Sequence, residues 1–101
     1  MARFDLFRLP ANQGYVVDVQ SDHASEKVMT RVVVPLVPVA DIGKPIAGLN
    51  PVVRIGDCDY AFVVQSLATL TSREMGERAG SLLADQGDRF AYALDILLTG
   101  F

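Results

Sequence analysis

Few residues in this chain could carry chemistry. His23 is the single histidine, and Ser21, Asp22 and Ser25 lie beside it. A nucleophile, a base and an orienting acid must converge in space. Neighbours along one short polar stretch do not supply that, so His23 reads as an exposed loop residue. Cys58 is the single cysteine and stands between Asp57 and Asp59. Negative neighbours disfavour the thiolate, so Cys58 reads as a bystander in a turn. Asp57 and Asp59 could work as an acid–base pair or hold a cation, but aspartate is also a favoured turn residue, and the turn reading is the stronger one. One histidine and one cysteine make no recognisable metal set. The glycines at 43, 48 and 56 match no phosphate-binding loop. The expectation is a protein that is not an enzyme. The C-terminus differs, because Thr99-Gly100-Phe101 puts a bulky aromatic and a carboxylate at the chain tip. Such a tip either folds back on its own domain or anchors a partner.

The elements that must position these residues change character along the chain. Arg3 to Arg8 alternates, with Phe4 and Leu6 on one face and Arg3 and Asp5 on the other. Pro10 to Gly14 reads as a turn. Tyr15 to Gln20 alternates again, and the two segments predict a hairpin. Ser21 to Lys27 reads as a loop. Arg31 to Val37 predicts a valine-rich strand, and Pro35 inside it predicts an edge, a bulge or a bend. An apolar edge needs a cover, and a second copy of the chain is one. Pro38 to Pro51 reads as connection. Val52 to Ile55 and Tyr60 to Val64 predict a second hairpin around a four-residue loop, Gly56 to Asp59. Leu67 to Leu70 either extends the sheet or starts a loop. Thr71 and Glu74 fit a capping box, but Gly76 and Gly80 limit it to a short turn. From Asp85 a helix is predicted, with Asp85 and Asp88 near its N-terminus. Phe90, Ala93, Leu94 and Leu97 form its apolar stripe, and Gly100 stops it. Strands followed by a terminal helix give an α+β, mostly β fold: a small twisted antiparallel sheet or barrel with a C-terminal helix.

Composition sets the remaining bounds. The 101 residues predict a single domain over 1–101, and half of them are apolar, enough for a core. No apolar run approaches the ~18 residues of a membrane-spanning helix. The N-terminus shows no export pattern, and a lone cysteine suits a reducing compartment, so the expected location is cytoplasmic. The net charge is −3, with nine basic residues scattered singly, which argues against direct binding to nucleic-acid phosphates.

Several strings together resemble the CcdB family of bacterial toxins. They are Val17-Asp18-Val19-Gln20-Ser21-Asp22, Val33-Val34-Pro35-Leu36 and Pro51-Val52-Val53-Arg54-Ile55-Gly56-Asp57, in order and near the family's spacing. The terminal helix ending in glycine and an apolar residue resembles the family as well. The resemblance implies an SH3-like homodimer without catalysis or cofactor. It implies binding to the A subunit of DNA gyrase, trapped on cleaved DNA, and a co-encoded antitoxin that neutralises the toxin. DNA would be met only indirectly, through gyrase or the antitoxin. By position, the implied gyrase-binding residues are Thr99, Gly100, Phe101, Asp95, His23 and Ala24. Thr99 and Phe101 stand where the family has tryptophan and isoleucine, Asp95 where it has asparagine, and His23 and Ala24 where it has two isoleucines. A second reading keeps the dimer and the antitoxin surface without gyrase poisoning. A third, from another class, is an endoribonuclease of the MazF/Kid type, whose fold is similar and whose chemistry would fall on Arg31 or Arg54.

Overall fold

The computed structural model describes residues 2–25 and 27–100. In chain order the elements are β1 (Asp5–Arg8), β2 (Tyr15–Asp18), α1 (Asp22–Ser25), β3 (Thr30–Pro38), α2 (Val39–Ile42), β4 (Val52–Ile55), β5 (Cys58–Phe62), β6 (Ala68–Thr71), β7 (Glu77–Ser81) and α3 (Leu83–Thr99). The strands form one antiparallel sheet in the order β4-β5-β3-β2-β1-β7, with β6 pairing β3 beside β5. This is the expected α+β, mostly β architecture, an SH3-like curved sheet closed by a C-terminal helix. No helix among the described residues is long and apolar enough to cross a membrane.

Two cores follow from the period-two alternation of the strands. On the face covered by α3 lie Leu6, Val17, Val34, Leu36 and Phe62, with Phe90, Ala93 and Leu94 of the helix. Phe90 is the keystone. Its ring stacks on Phe62 at 4.1 Å between centroids and meets Phe4 edge-on at 5.6 Å. Gly87 lets the helix approach there, because a Cβ at that position would lie 3.2 Å from Leu83 Cδ1 and 3.6 Å from Phe4 Cδ2. On the other face, Phe7, Val16, Val33 and Met75 form a smaller core, flanked by Leu9 and Leu70.

That second core lies on the face that carries the polar residues of the first strands. Asp5, Asp18 and Arg31 are all buried. Both Nε and Nη2 of Arg31 donate to Asp18 Oδ2, and the Gln20 N–H donates to Asp18 Oδ1 at 3.1 Å. Burial raises the Asp18 carboxyl, against the pull of Arg31. Arg78 reaches back from β7 to grip both oxygens of Asp5, at 3.0 and 3.2 Å. Burial works to raise Asp5, but Arg78 and the Ala2 N–H together hold its carboxyl below the usual range. A carboxyl lowered in the folded state contributes stability above its unfolded pKa and loses it as pH falls through the folded one. Wild type is therefore expected to lose more stability than Asp5→Asn as pH drops below about 4. Urea midpoints of both proteins across that range check it, and parallel pH profiles would refute it.

Pro35 is not on an edge strand. β3 is central, pairing β2 along one side and β6 then β5 along the other. The proline is tolerated because its backbone faces the break between those two partners. Its carbonyl accepts the Val63 N–H at 3.1 Å there, and the missing N–H interrupts no ladder bond. β3 therefore needs no second copy of the chain as its cover. The second hairpin turns on two residues, not four. Ile55 pairs with Cys58, and Gly56 at φ 62 takes the first turn position. Cys58 and Asp59 belong to β5. The loop Ser21 to Lys27 contains the short helix α1. Thr71 and Glu74 do form a capping box, around a 3₁₀ turn at Ser72–Glu74. The following residues enter β7, a strand the glycines concealed. α3 begins two residues before Asp85; its N-cap residue Leu82 offers no side-chain cap, and Ser81 Oγ accepts the Leu83 N–H at 3.3 Å. Asp85 sits in its first turn, where the helix dipole favours a carboxylate.

Candidate functional site at the end of the terminal helix

α3 presents two different surfaces. Phe90, Ala93 and Leu94 face the sheet, while Tyr92, Asp95, Leu98 and Thr99 are exposed. Leu98 is 69 % exposed and Tyr92 57 % exposed. Gly100 ends the helix in the left-handed conformation, φ 83, and its N–H closes on Ile96 O at 3.0 Å. Thr99 Oγ1 donates to Asp95 O one turn back. The hydroxyl is thus satisfied within the helix, and the residue is exposed. Phe101 lies outside the described residues. Gly48 lies under Tyr92 and Ile96, since a Cβ there would come 3.3 Å from Tyr92 Cε2. The 46–50 segment is fastened in turn: the Asn50 side-chain amide donates to Gln65 Oε1 at 2.8 Å and to Phe62 O at 3.2 Å. The end of α3 therefore stands on a rigid base.

The other implied residues sit elsewhere. His23 is exposed and Ala24 half-buried, both in α1. α1 is tied to the N-terminal segment, where the Arg3 N–H donates to Asp22 Oδ1 at 2.8 Å. The next residue, Phe4, packs near Gly87 in the first part of α3. From Gly87 to Thr99 the helix rises roughly 18 Å. Thr99, Gly100 and Asp95 are brought together at one end of α3, and His23 and Ala24 are held at the other.

The candidates for chemistry stay dispersed. Cys58 is exposed at the start of β5. Asp59 is paired with Arg54 at 3.1 Å on the surface, and Arg54 also donates to Asp57 O. Arg31 is buried and paired with Asp18. Among the described residues, no group of three or more His, Cys, Asp or Glu side chains is placed to hold a metal ion. The buried Asp18–Arg31 pair and the exposed Leu98 escaped the sequence reading. For the pair the signal was an aspartate inside an otherwise apolar strand. For Leu98 it was a leucine just off the apolar stripe.

Comparisons with known proteins agree on the fold. Three solved structures superpose over most of the chain. One, described as an endoribonuclease in complex with its cognate antitoxin from Mycobacterial species, has a TM-score of 0.76 and 17% identity, covering 97% of this chain and 94% of that one. An endoribonuclease from Mycobacterial species gives 0.77 and 16%, covering 97% and 90%. Mycobacterium tuberculosis toxin MazF-mt6 gives 0.70 and 14%, covering 90% and 92%. At these identities the likeness is one of fold. No curated protein sequence matches the chain. The family model described as CcdB protein matches residues 3–100. With that match spanning nearly every residue, the chain belongs to the CcdB family, the toxins of toxin–antitoxin pairs.

Proposed function

We propose that this protein is a CcdB-type toxin that acts by binding, without catalysis. Its target is the A subunit of DNA gyrase, which it traps on cleaved DNA, and a co-encoded antitoxin neutralises it. It works in the cytoplasm as a homodimer. The observation that carries this reading is the free end of α3. An apolar and hydroxyl surface (Tyr92, Leu98, Thr99) stands exposed on a well-anchored helix that Gly100 terminates cleanly. Aromatic anchors dominate such contacts, and Thr99 offers only a methyl group and an already bonded hydroxyl. The tip is therefore a weak version of the family's site.

Thr99→Trp is expected to tighten binding to this gyrase target by at least tenfold, the value of about 2 kcal/mol for one aromatic hot spot. Titration of immobilised gyrase with both proteins checks it. An unchanged Kd would move the binding surface away from this helix end.

A further inference from the structure

Phe4, Ala11 and Asn12 are the non-glycine residues with positive φ among those described, and of these Phe4 alone is buried. Ala2 to Asp5 form a turn, closed by the Asp5 N–H on Ala2 O at 3.0 Å. Phe4 takes its third place at φ 66, where glycine or asparagine is the usual residue. A bulky aromatic there is strained backbone, and such strain persists only where the surroundings hold it. Burial of the ring explains the residue type. It meets Phe90 edge-on at 5.6 Å and lies against Gly87, in the first half of α3.

The backbone of Phe4 is held at both ends. Its N–H donates to Asp18 O at 2.5 Å, and its carbonyl accepts the Leu82 N–H at 2.9 Å, one residue before α3. With the N–H fixed, rotating φ into the ordinary negative range swings the ring and the carbonyl off their partners. Arg3 supplies the remaining holds. Its Nε donates to Val19 O at 3.2 Å, and its guanidinium lies 4.6 Å from the centre of the Phe4 ring. Its N–H donates to Asp22 Oδ1 at 2.8 Å, in the first turn of α1.

α1 has four residues, too few to stand as a helix in water without anchors. Two anchors are visible: Ser21 Oγ accepts the Ala24 N–H at 3.1 Å, and Asp22 accepts the Arg3 N–H. Asp22 is exposed, so this second anchor is within reach of anything that engages α1.

We propose that Arg3 and Phe4 form a strained latch that couples α1 to the start of α3. With Asp22 on the Arg3 N–H, the turn stays closed, the Phe4 ring stays on Phe90 and α1 stays ordered. A partner that closes over His23 and Ala24 and draws Asp22 away opens the turn. Phe4 then relaxes to negative φ, the Leu82 N–H loses its acceptor, and the first turns of α3 loosen. Coupling is reciprocal, so loosening Phe4 also loosens α1. The latch is a property of the fold and does not rest on the gyrase reading.

Amide hydrogen exchange tests it, with each variant read at the element its substitution does not touch. Asp22→Ala is expected to speed exchange of the Leu82 and Gln86 amides by roughly fivefold or more, the scale of one hydrogen bond to a charged group. The Phe62 amide, bonded to Pro51 O in the sheet, serves as the internal reference. Asp22→Asn keeps an acceptor oxygen and is expected to restore slow exchange. Phe4→Leu is expected to speed the Ala24 and Val28 amides, relative to Phe62, by a similar factor. Should Phe4→Leu not fold, Arg3→Pro replaces it. Proline suits the second place of the turn and removes the N–H that Asp22 accepts, so Ala24, Val28 and Leu82 are all expected to exchange faster. Unchanged Leu82 and Gln86 exchange in Asp22→Ala overturns the latch. So does acceleration of Phe62 by the same factor, or unchanged Ala24 and Val28 exchange in a folded Phe4→Leu or Arg3→Pro.

Discussion

Phe90→Ala is expected to destabilise the fold by about 3–5 kcal/mol, the range for removing a fully buried phenylalanine. The magnitude follows from what the ring touches. It fills the space between α3 and the sheet, stacked on Phe62 and capped by the edge contact with Phe4. Both neighbours are held by backbone. Phe4 sits at φ 66, with its N–H bonded to Asp18 O and its carbonyl to the Leu82 N–H, so it cannot slide into the void. Phe62 N–H is bonded to Pro51 O. A cavity that cannot collapse belongs at the upper part of the range. In a domain of this size the loss lowers Tm by roughly 15 °C or more. Calorimetry with urea titration checks it. A loss below about 1 kcal/mol would mean that α3 does not pack on the sheet through this ring.

Arg31→Ala is expected to cost a similar amount, about 3–5 kcal/mol, for a different reason. It leaves the Asp18 carboxylate buried without its cation. Pair replacement separates charge from packing. Changing both residues at once, to Asp18→Leu with Arg31→Met, removes the uncompensated charge and fills the same volume. The double variant is expected to recover most of the stability lost by Arg31→Ala. Urea denaturation of the wild type and both variants decides the matter. A double variant as unstable as the single one would show that the side chains' shapes, not the pairing of charges, hold this second core.

These two residues also show how legible the fold is in the sequence. Phe90 was readable, because Phe90, Ala93, Leu94 and Leu97 repeat at helical spacing before a glycine. α3, its stop at Gly100 and the hairpin β1–β2 all follow from patterns local to a few residues. Arg31 and Asp18 were not readable, because alternation predicts which face a residue takes but not whether that face is dry. The second core is closed by Met75 and Leu70, far away in sequence, and no local pattern announces it. Pro35 misled for a related reason. A proline breaks one ladder bond, and whether a bond was due there depends on where β5 gives way to β6. β7 was hidden because its Glu77, Arg78 and Gly80 are poor strand formers that the pairing with β1 overrides. At the candidate site, the residue identities came from family resemblance. Their separation along α3 came only with the fold.

Gyrase itself gives the most direct test. Purified protein is mixed with gyrase, ATP and supercoiled plasmid, and trapped breaks are released with detergent and protease. Linear DNA is expected that depends on this protein, increases with Thr99→Trp and disappears when the C-terminal Thr99-Gly100-Phe101 is removed. Absence of linear DNA with both wild type and Thr99→Trp, together with cleavage of bulk RNA by the same preparation, would contradict it.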